Sequence, residues 1–321
     1  MTPDQGKVYT KGASYRARAE ARQREYRANV ARAGWSEWGH LLDDVSADAG
    51  ANFVVPEAHQ AARDRHALGK GVAVRTFNNM LSSQAMCFNV FAPLAADTNL
   101  ASRVLRGFAA GLETVEKIHF EYTPAKDLFR DQSGRGGVDC DLLIEGTWKD
   151  GRRAVVTIET KFVEPEFSVC GFRKSGRTKN VCRADLVLDA NSSKCLYATE
   201  KKYGYWEQTH KLGQLRDGLL PGPCPFGSPL WQLWVNHTLA FAEASRRRVP
   251  HAAFGVCAPA GNEKLLNGGR VLDLFRSNLK HPSSFFFIPL DDLIGRIRET
   301  CGHDHKYRPW RDGLAARYAA I

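Results

Sequence analysis

The periodicity of the chain changes at Ile118, and that change narrows the folds open to it. From there Ile118 to Tyr122, Val138 to Glu145 and Ala154 to Val163 are short runs rich in β-branched and aromatic residues, separated by Gly, Asp and Pro, a pattern that predicts three strands. Before them the spacing is helical. In the segment starting at Asn79, the residues Met80, Gln84, Cys87, Phe88 and Phe91 share one face, and Pro93 marks its approaching end; a second helix is expected from Asn99 to Lys117. After the three strands a polar stretch, 164 to 228, leads to a helix from Pro229 to Arg247 with Leu230, Leu233, Trp234, His237 and Phe241 on one side. Strands at Ala252 to Ala258 and Phe285 to Pro289 follow, then a helix from Leu290 to Glu299. Helix, three strands, helix and strand in that order predict an α/β chain with a mixed central sheet flanked by helices.

The first 75 residues read differently. Ser14 can cap and Gly34 can stop a helix in which Tyr15, Ala19, Tyr26 and Val30 recur at helical spacing. It carries Arg16, Arg18, Arg22, Arg24, Arg27 and Arg32, which either meet a phosphate backbone or solvate the outer face of a docked helix. Apolar density is low from Gly34 to Gly71, with a short helix expected from Pro56 to Ala67, so residues 1–75 are expected to form a basic helical accessory region and 76–321 the main domain. Over all 321 residues, 45 Lys and Arg against 35 Asp and Glu give a net charge of +10, which favours a polyanionic partner such as nucleic acid. No apolar run approaches the roughly 18 residues of a bilayer span, and Met1 to Gly12 has no apolar signal region. The expectation is a cytoplasmic protein without membrane contact, whose eight cysteines are thiols or metal ligands. No GxxxxGK[ST], GxSxG or GxGxxG occurs, so motor, α/β-hydrolase and dinucleotide-binding signatures are missing.

The chemistry-bearing residues lie in GGVDCDLLIEG and AVVTIETKFVE. Side chains alternate along a strand, so Asp139 shares a face with Asp141, and Glu159 with Lys161. A three-residue hairpin loop of Lys149, Asp150 and Gly151, with Gly151 in the left-handed position, pairs Trp148 with Arg152 and sets Asp141 opposite Glu159 and Asp139 opposite Lys161. A two-residue Asp150-Gly151 turn would shift the register by one and separate the faces. Opposed carboxylates about 5 Å apart at Cβ repel unless a divalent cation sits between them; Mg²⁺ takes such oxygen ligands and can activate water for phosphodiester hydrolysis. Lys161 can then stabilise the charge that develops on the phosphate.

The Asp141…Glu159-Thr160-Lys161 arrangement on consecutive strands after a helix resembles the PD-(D/E)xK, or restriction-endonuclease-like, nuclease superfamily, and SSQAMCFNVFAPL is similar to a segment of its bacterial restriction-endonuclease-like branch. The resemblance covers about residues 80 to 290. It implies a restriction-endonuclease-like core, Asp141 and Glu159 as ligands of Mg²⁺ or Mn²⁺, Lys161 as the catalytic lysine, DNA as the substrate, and a setting in defence against foreign DNA. No proline precedes the aspartate, so Asp139 competes with Asp141 as first ligand; the run Leu142, Leu143, Ile144 favours Asp141. The acid that many members supply from a helix has three candidates, Gln84, Glu113 and Glu116. Gln232 resembles a glutamine of exonuclease-like members, but Asn236 stands where they carry tyrosine. The tripeptide alone is weak: an acid-x-Lys arises by chance about twice in such a chain, and Glu200-Lys201-Lys202 and Asp304-His305-Lys306 also match, without the strand context. A catalytically silent nucleic-acid-binding protein on the same fold, and a nuclease acting on RNA or junctions, are the alternatives. A homo-oligomer or a partner protein is left open.

Cys170, Cys182, Cys195 and Cys224 all fall within the polar insertion at 164–228. Four thiolates around Zn²⁺ would order such a segment; an iron–sulfur cluster, known in relatives of the superfamily, and four unrelated thiols are the other readings. Cys301, His303 and His305 are expected in a solvated tail, Trp231 and Trp234 in the core, and Arg246 to Arg248 at a charged helix end.

Overall fold

A computed structural model of the protein describes residues 4–69, 71–109, 111–131, 138–174, 182–183, 185–227, 229–319 and 321. The elements that position the site are helices α1 (Tyr15–Tyr26), α2 (Pro56–Ala67), α3 (Ser83–Ala96) and α4 (Thr98–Leu105), then strands β1 (Leu112–Tyr122), β2 (Cys140–Trp148) and β3 (Arg153–Thr160). Helix α5 (Trp231–Arg247), strand β4 (His251–Ala258), helix α6 (Arg270–Ser277), strand β5 (Phe285–Pro289) and helices α7 (Leu290–Cys301) and α8 (Arg308–Tyr318) complete the set. The five strands lie in chain order in one mixed sheet. β1, β2 and β3 are antiparallel neighbours; β4 runs parallel to β3, and β5 parallel to β4.

The sheet is apolar on both faces because helices cover both. Leu142, Ile144, Val156, Ile158, Cys257 and Ile288 face α3, α4, α7 and α8. Leu143, Val155, Phe254, Val256 and Phe285 face α5 and α6. Helix α3 is buried along nearly its whole length, which is why its residues are apolar all round, and the Ser82 hydroxyl caps it by accepting from the Ala85 N–H. Pro93 lies inside this helix and brings no N–H for the Asn89 carbonyl; the Trp310 indole N–H of α8 donates to that carbonyl instead, at 2.7 Å.

Two expected boundaries move. The helix expected from Asn99 to Lys117 ends at Leu105, and Leu112 to Lys117 belong to β1, an 11-residue strand with two register irregularities against β2. The pattern concealed the strand because the bulges break its alternation: Val115 and Ile118 both turn to the core across three residues, a helical interval. Gly34 does not end the first helix. It passes into a π turn, Arg27–Ala31, closed by Arg32 in the left-handed conformation (φ 50°). Tyr15, Ala19 and Tyr26 are buried as expected, whereas Val30 is exposed. Arg24 and Arg27 do not face outward to a partner. Arg24 donates to the carbonyls of Gln5 and Gly6, and the buried Arg27 to those of Asp4, Ala33 and Gly39.

Candidate active site

The hairpin between β2 and β3 has the three-residue loop. Trp148 N–H donates to the Arg152 carbonyl at 2.8 Å, Gly151 N–H to the Trp148 carbonyl at 2.8 Å, and Gly151 has φ 79°. The register Leu142↔Ile158 then makes Asp141 and Glu159 the next opposed pair at the sheet end. On the other side β1 pairs Phe120 with Leu142 and Tyr122 with Cys140, which places Glu121 opposite Asp141. Three adjacent strands thus bring Glu121, Asp141 and Glu159 to one end of the sheet.

Each acid is held differently. Asp141 Oδ2 accepts from the Thr160 N–H and hydroxyl, both at 2.6 Å, and among the described residues no donor meets its Oδ1. Glu159 is 4% exposed; its Oε1 accepts from Lys161 Nζ (2.8 Å) and Gln232 Nε2 (2.7 Å), and its Oε2 from Asn236 Nδ2 (2.7 Å). Gln232 and Asn236 lie one turn apart on α5, so one helix face grips both carboxylate oxygens. Thr157 adds to the fit by donating to the Asn236 carbonyl at 3.2 Å. Lys161 extends β3 by donating its N–H to the Cys257 carbonyl of β4 at 2.9 Å. The next turn is fixed by Asn262, which donates to the carbonyls of Phe162 and Glu164 at 3.1 and 2.9 Å.

Glu121 was missed by sequence reasoning. It is 5% exposed, has φ 47°, and its Oε1 is buried without a hydrogen-bond partner among the described residues. A left-handed glutamate is strained backbone, and here the strain lies where the side chain leaves the strand to meet Gln84 of α3 and the backbone of Gly71. Of the three candidates for a helical acid, Gln84 lies beside Glu121, whereas Glu113 and Glu116 belong to β1 and not to a helix, with Glu113 paired to Arg106. The sequence signal for Glu121 was slight: an acid in HFEYTP near a strand end.

The electrostatics fit a cation site. Burial, and then the Asp141 charge, push the Glu121 carboxyl up to about 9. Burial and Asp141 likewise push Glu159 up to about 7, against the lowering by Lys161. Asp141 is raised by burial despite Lys161 and Thr160. Burial alone would lower Lys161, but Glu159, Glu164 and Asp141 outweigh it and hold the ammonium above its ordinary value. The orphaned Glu121 oxygen and an all-carboxylate donor set suit a hard cation such as Mg²⁺ or Mn²⁺. Among the described residues no three His, Cys, Asp or Glu side chains are closed around a metal position, so an ion here would complete its shell with water and phosphate. Asp139 precedes β2 and acts electrostatically on Glu121.

The remaining expectations divide. Trp234 is in the core, and Trp231, half-buried, stacks on Tyr197. Arg246 and Arg247 both bind the buried Glu243, and Arg247 also Glu145. His303 and His305 are exposed, but Cys301 is not in a solvated tail: it is buried in the core at the end of α7, because that helix packs its apolar face there. Among the described residues no helix is long and apolar enough to cross a membrane.

Comparison with known proteins adds one match. No curated protein and no solved structure matches the chain. A family model described as the PD-(D/E)XK nuclease superfamily matches residues 7–320. With nearly the whole length matched, and a mixed sheet carrying the aspartate and the Glu-x-Lys on adjacent strands, the chain belongs to the PD-(D/E)XK nuclease superfamily.

Proposed function

We propose that the protein is a divalent-metal-dependent nuclease that hydrolyses DNA phosphodiester bonds, with Asp141, Glu159 and Lys161 as its catalytic residues. The observation that carries this reading is the opposed Asp141 and Glu159 at the sheet end, with the Lys161 ammonium 2.8 Å from Glu159. Asp141 and Glu159 would hold Mg²⁺ or Mn²⁺, which when bound lowers the pKa of water and neutralises phosphate charge. Lys161, kept protonated by the acids around it, would set a fixed positive charge beside the phosphoryl oxygens as they gain negative charge. Gln232 and Asn236 fix the orientation of Glu159, leaving its carboxylate one position from which to act. The net charge of +10 supports a polyanionic substrate, and a role in defence rests on the family likeness.

The test is incubation of the purified protein with supercoiled plasmid, linear duplex, single strands and RNA, with Mg²⁺ or Mn²⁺ and an EDTA control. Metal-dependent DNA cleavage is expected, lost in Lys161→Ala and Glu159→Ala while duplex binding persists in Lys161→Ala. Lys202→Ala and Lys306→Ala, the decoy tripeptides, should keep most activity. Undiminished cleavage by either site variant overturns the assignment, binding without cleavage by the wild type makes the fold a silent binder, and cleavage confined to RNA moves the substrate.

A further inference from the structure

The insertion between Lys161 and α5 contains three tight turns, each opening on a cysteine. Arg173 N–H donates to the Cys170 carbonyl (3.1 Å), Ala198 N–H to that of Cys195 (2.9 Å) and Gly227 N–H to that of Cys224 (3.4 Å). Within two of them backbone N–H groups lie on the sulfur side of the turn, those of Tyr197 and Ala198 near Cys195 and that of Phe226 near Cys224, and they favour the thiolate form. A neutral thiol is a weak acceptor, whereas N–H groups aimed at sulfur stabilise it once it is a thiolate.

The turns converge. Phe172 of the first and Tyr197 of the second pack edge to face at 4.8 Å, and the Tyr197 hydroxyl accepts from the Gly171 N–H at 3.3 Å. The Arg173 guanidinium of the first turn lies against Gly227 of the third, in the space where a Cβ would stand. Cys224 N–H donates to the Leu186 carbonyl (3.2 Å), and Leu186 N–H to that of Arg183, tying in the segment that carries Cys182. Cys182 lies within electrostatic range of Cys170 and Cys195, and Cys224 within that of the other three. None of the four is in a disulfide.

We infer that Cys170, Cys182, Cys195 and Cys224 form a structural four-thiolate site for one zinc ion, separate from the carboxylate site. Four soft ligands and no open position select Zn²⁺ over the hard cations of the carboxylates. Binding releases four thiol protons and leaves a net charge of −2, which Arg173, whose charge already acts on Cys182, offsets. The sulfurs are not closed into a ligand shell in this structure. Their turns are in place, and for one ion to bind the side chains would rotate about Cα–Cβ to close the shell.

The test is elemental analysis of the full-length protein after dialysis against EDTA, with thiol titration by a mercurial in the presence of a zinc indicator. The expected result is about one zinc per chain, released only as the thiols are titrated. Cys195→Ser with Cys224→Ser should lose it, and Co²⁺ exchanged into the wild type should show the intense visible bands of tetrahedral thiolate cobalt. Absence of transition metal, iron in place of zinc, or zinc retained by the double variant overturns the inference. If the double variant does not fold, the wild-type titration and cobalt spectrum still decide. None of these readouts depends on nuclease activity.

Discussion

At the scale of single residues, Glu121 is the side chain whose place is explained by nothing in its own strand. A left-handed glutamate with a buried, unpartnered oxygen costs backbone and desolvation energy, and the register sets that cost directly against Asp141. Glu121→Gln keeps the shape of the protonated carboxyl and abolishes the charge it would take up on binding a cation. Its folding stability is expected to equal or exceed that of the wild type in urea unfolding. Mn²⁺ affinity measured by calorimetry should fall by about tenfold or more, with cleavage falling by about 10- to 100-fold, the range seen when a group supporting a metal site is removed. Unchanged Mn²⁺ affinity would make Glu121 a structural residue only.

At the scale of elements, the basic first helix is a packing element on the side that bears Arg24 and Arg27. Arg27 is 2% exposed, and its guanidinium joins the chain ahead of the helix to the segment after it through three carbonyls. Removing that cation strands the carbonyls, and leaving a buried acceptor without its donor costs about 1–3 kcal/mol. Arg27→Gln is therefore expected to lower unfolding stability by about that amount while leaving the slope of log K against log[salt] for duplex binding unchanged; each phosphate that the protein no longer neutralised would reduce that slope by about 0.9. A flattened slope at unchanged stability would return Arg27 to the DNA footprint. The β2–β3 hairpin is the opposite kind of element. Its function depends on loop length, because a one-residue slip would turn Glu159 away from Asp141.

At the scale of the whole molecule, buried polar side chains tie distant segments together. Arg317 of α8 is fully buried and donates to Gln23 of α1, to the Asn52 carbonyl and side chain, and to the Met80 carbonyl. Asn89 joins α3 to Asn52, Val54 and Tyr318. Through these hydrogen bonds the first and last helices close over the face of the sheet that α3 covers. On the opposite face His237 of α5, 2% exposed, hydrogen-bonds to Gln214 and Ser284, and burial pushes its pKa down to about 3. Its folded value lies below the unfolded one, so the unfolded chain binds the extra proton between about pH 6.5 and 3. Stability therefore falls as pH drops through that window, by up to about 5 kcal/mol from this group. Urea unfolding of His237→Asn should show a shallower acid loss than the wild type across the same pH range; identical slopes would place the acid sensitivity in the carboxylates.

The sequence by itself determined the strand and helix order around the sheet and narrowed the β2–β3 register to two, and the three-residue Lys149-Asp150-Gly151 loop in the structure is the one that opposes Asp141 to Glu159. Those features are local: alternation has a period of two, and a left-handed glycine in a short loop sets the pairing on both sides of it. The start of β1 was hidden because its bulges mimic helical spacing. Only the tertiary structure decided that Glu121 stands against Asp141, that Asn236 holds the second oxygen of Glu159 in place of a tyrosine, and that Arg24 and Arg27 turn inward. The same holds for the turns that open on Cys170, Cys195 and Cys224, which are up to 54 residues apart between Cys170 and Cys224 and meet through ring packing and a close approach at Gly227. In each case the deciding quantity is the partner of a polar or sulfur-bearing side chain. That partner comes from a distant part of the chain, and no periodicity encodes it.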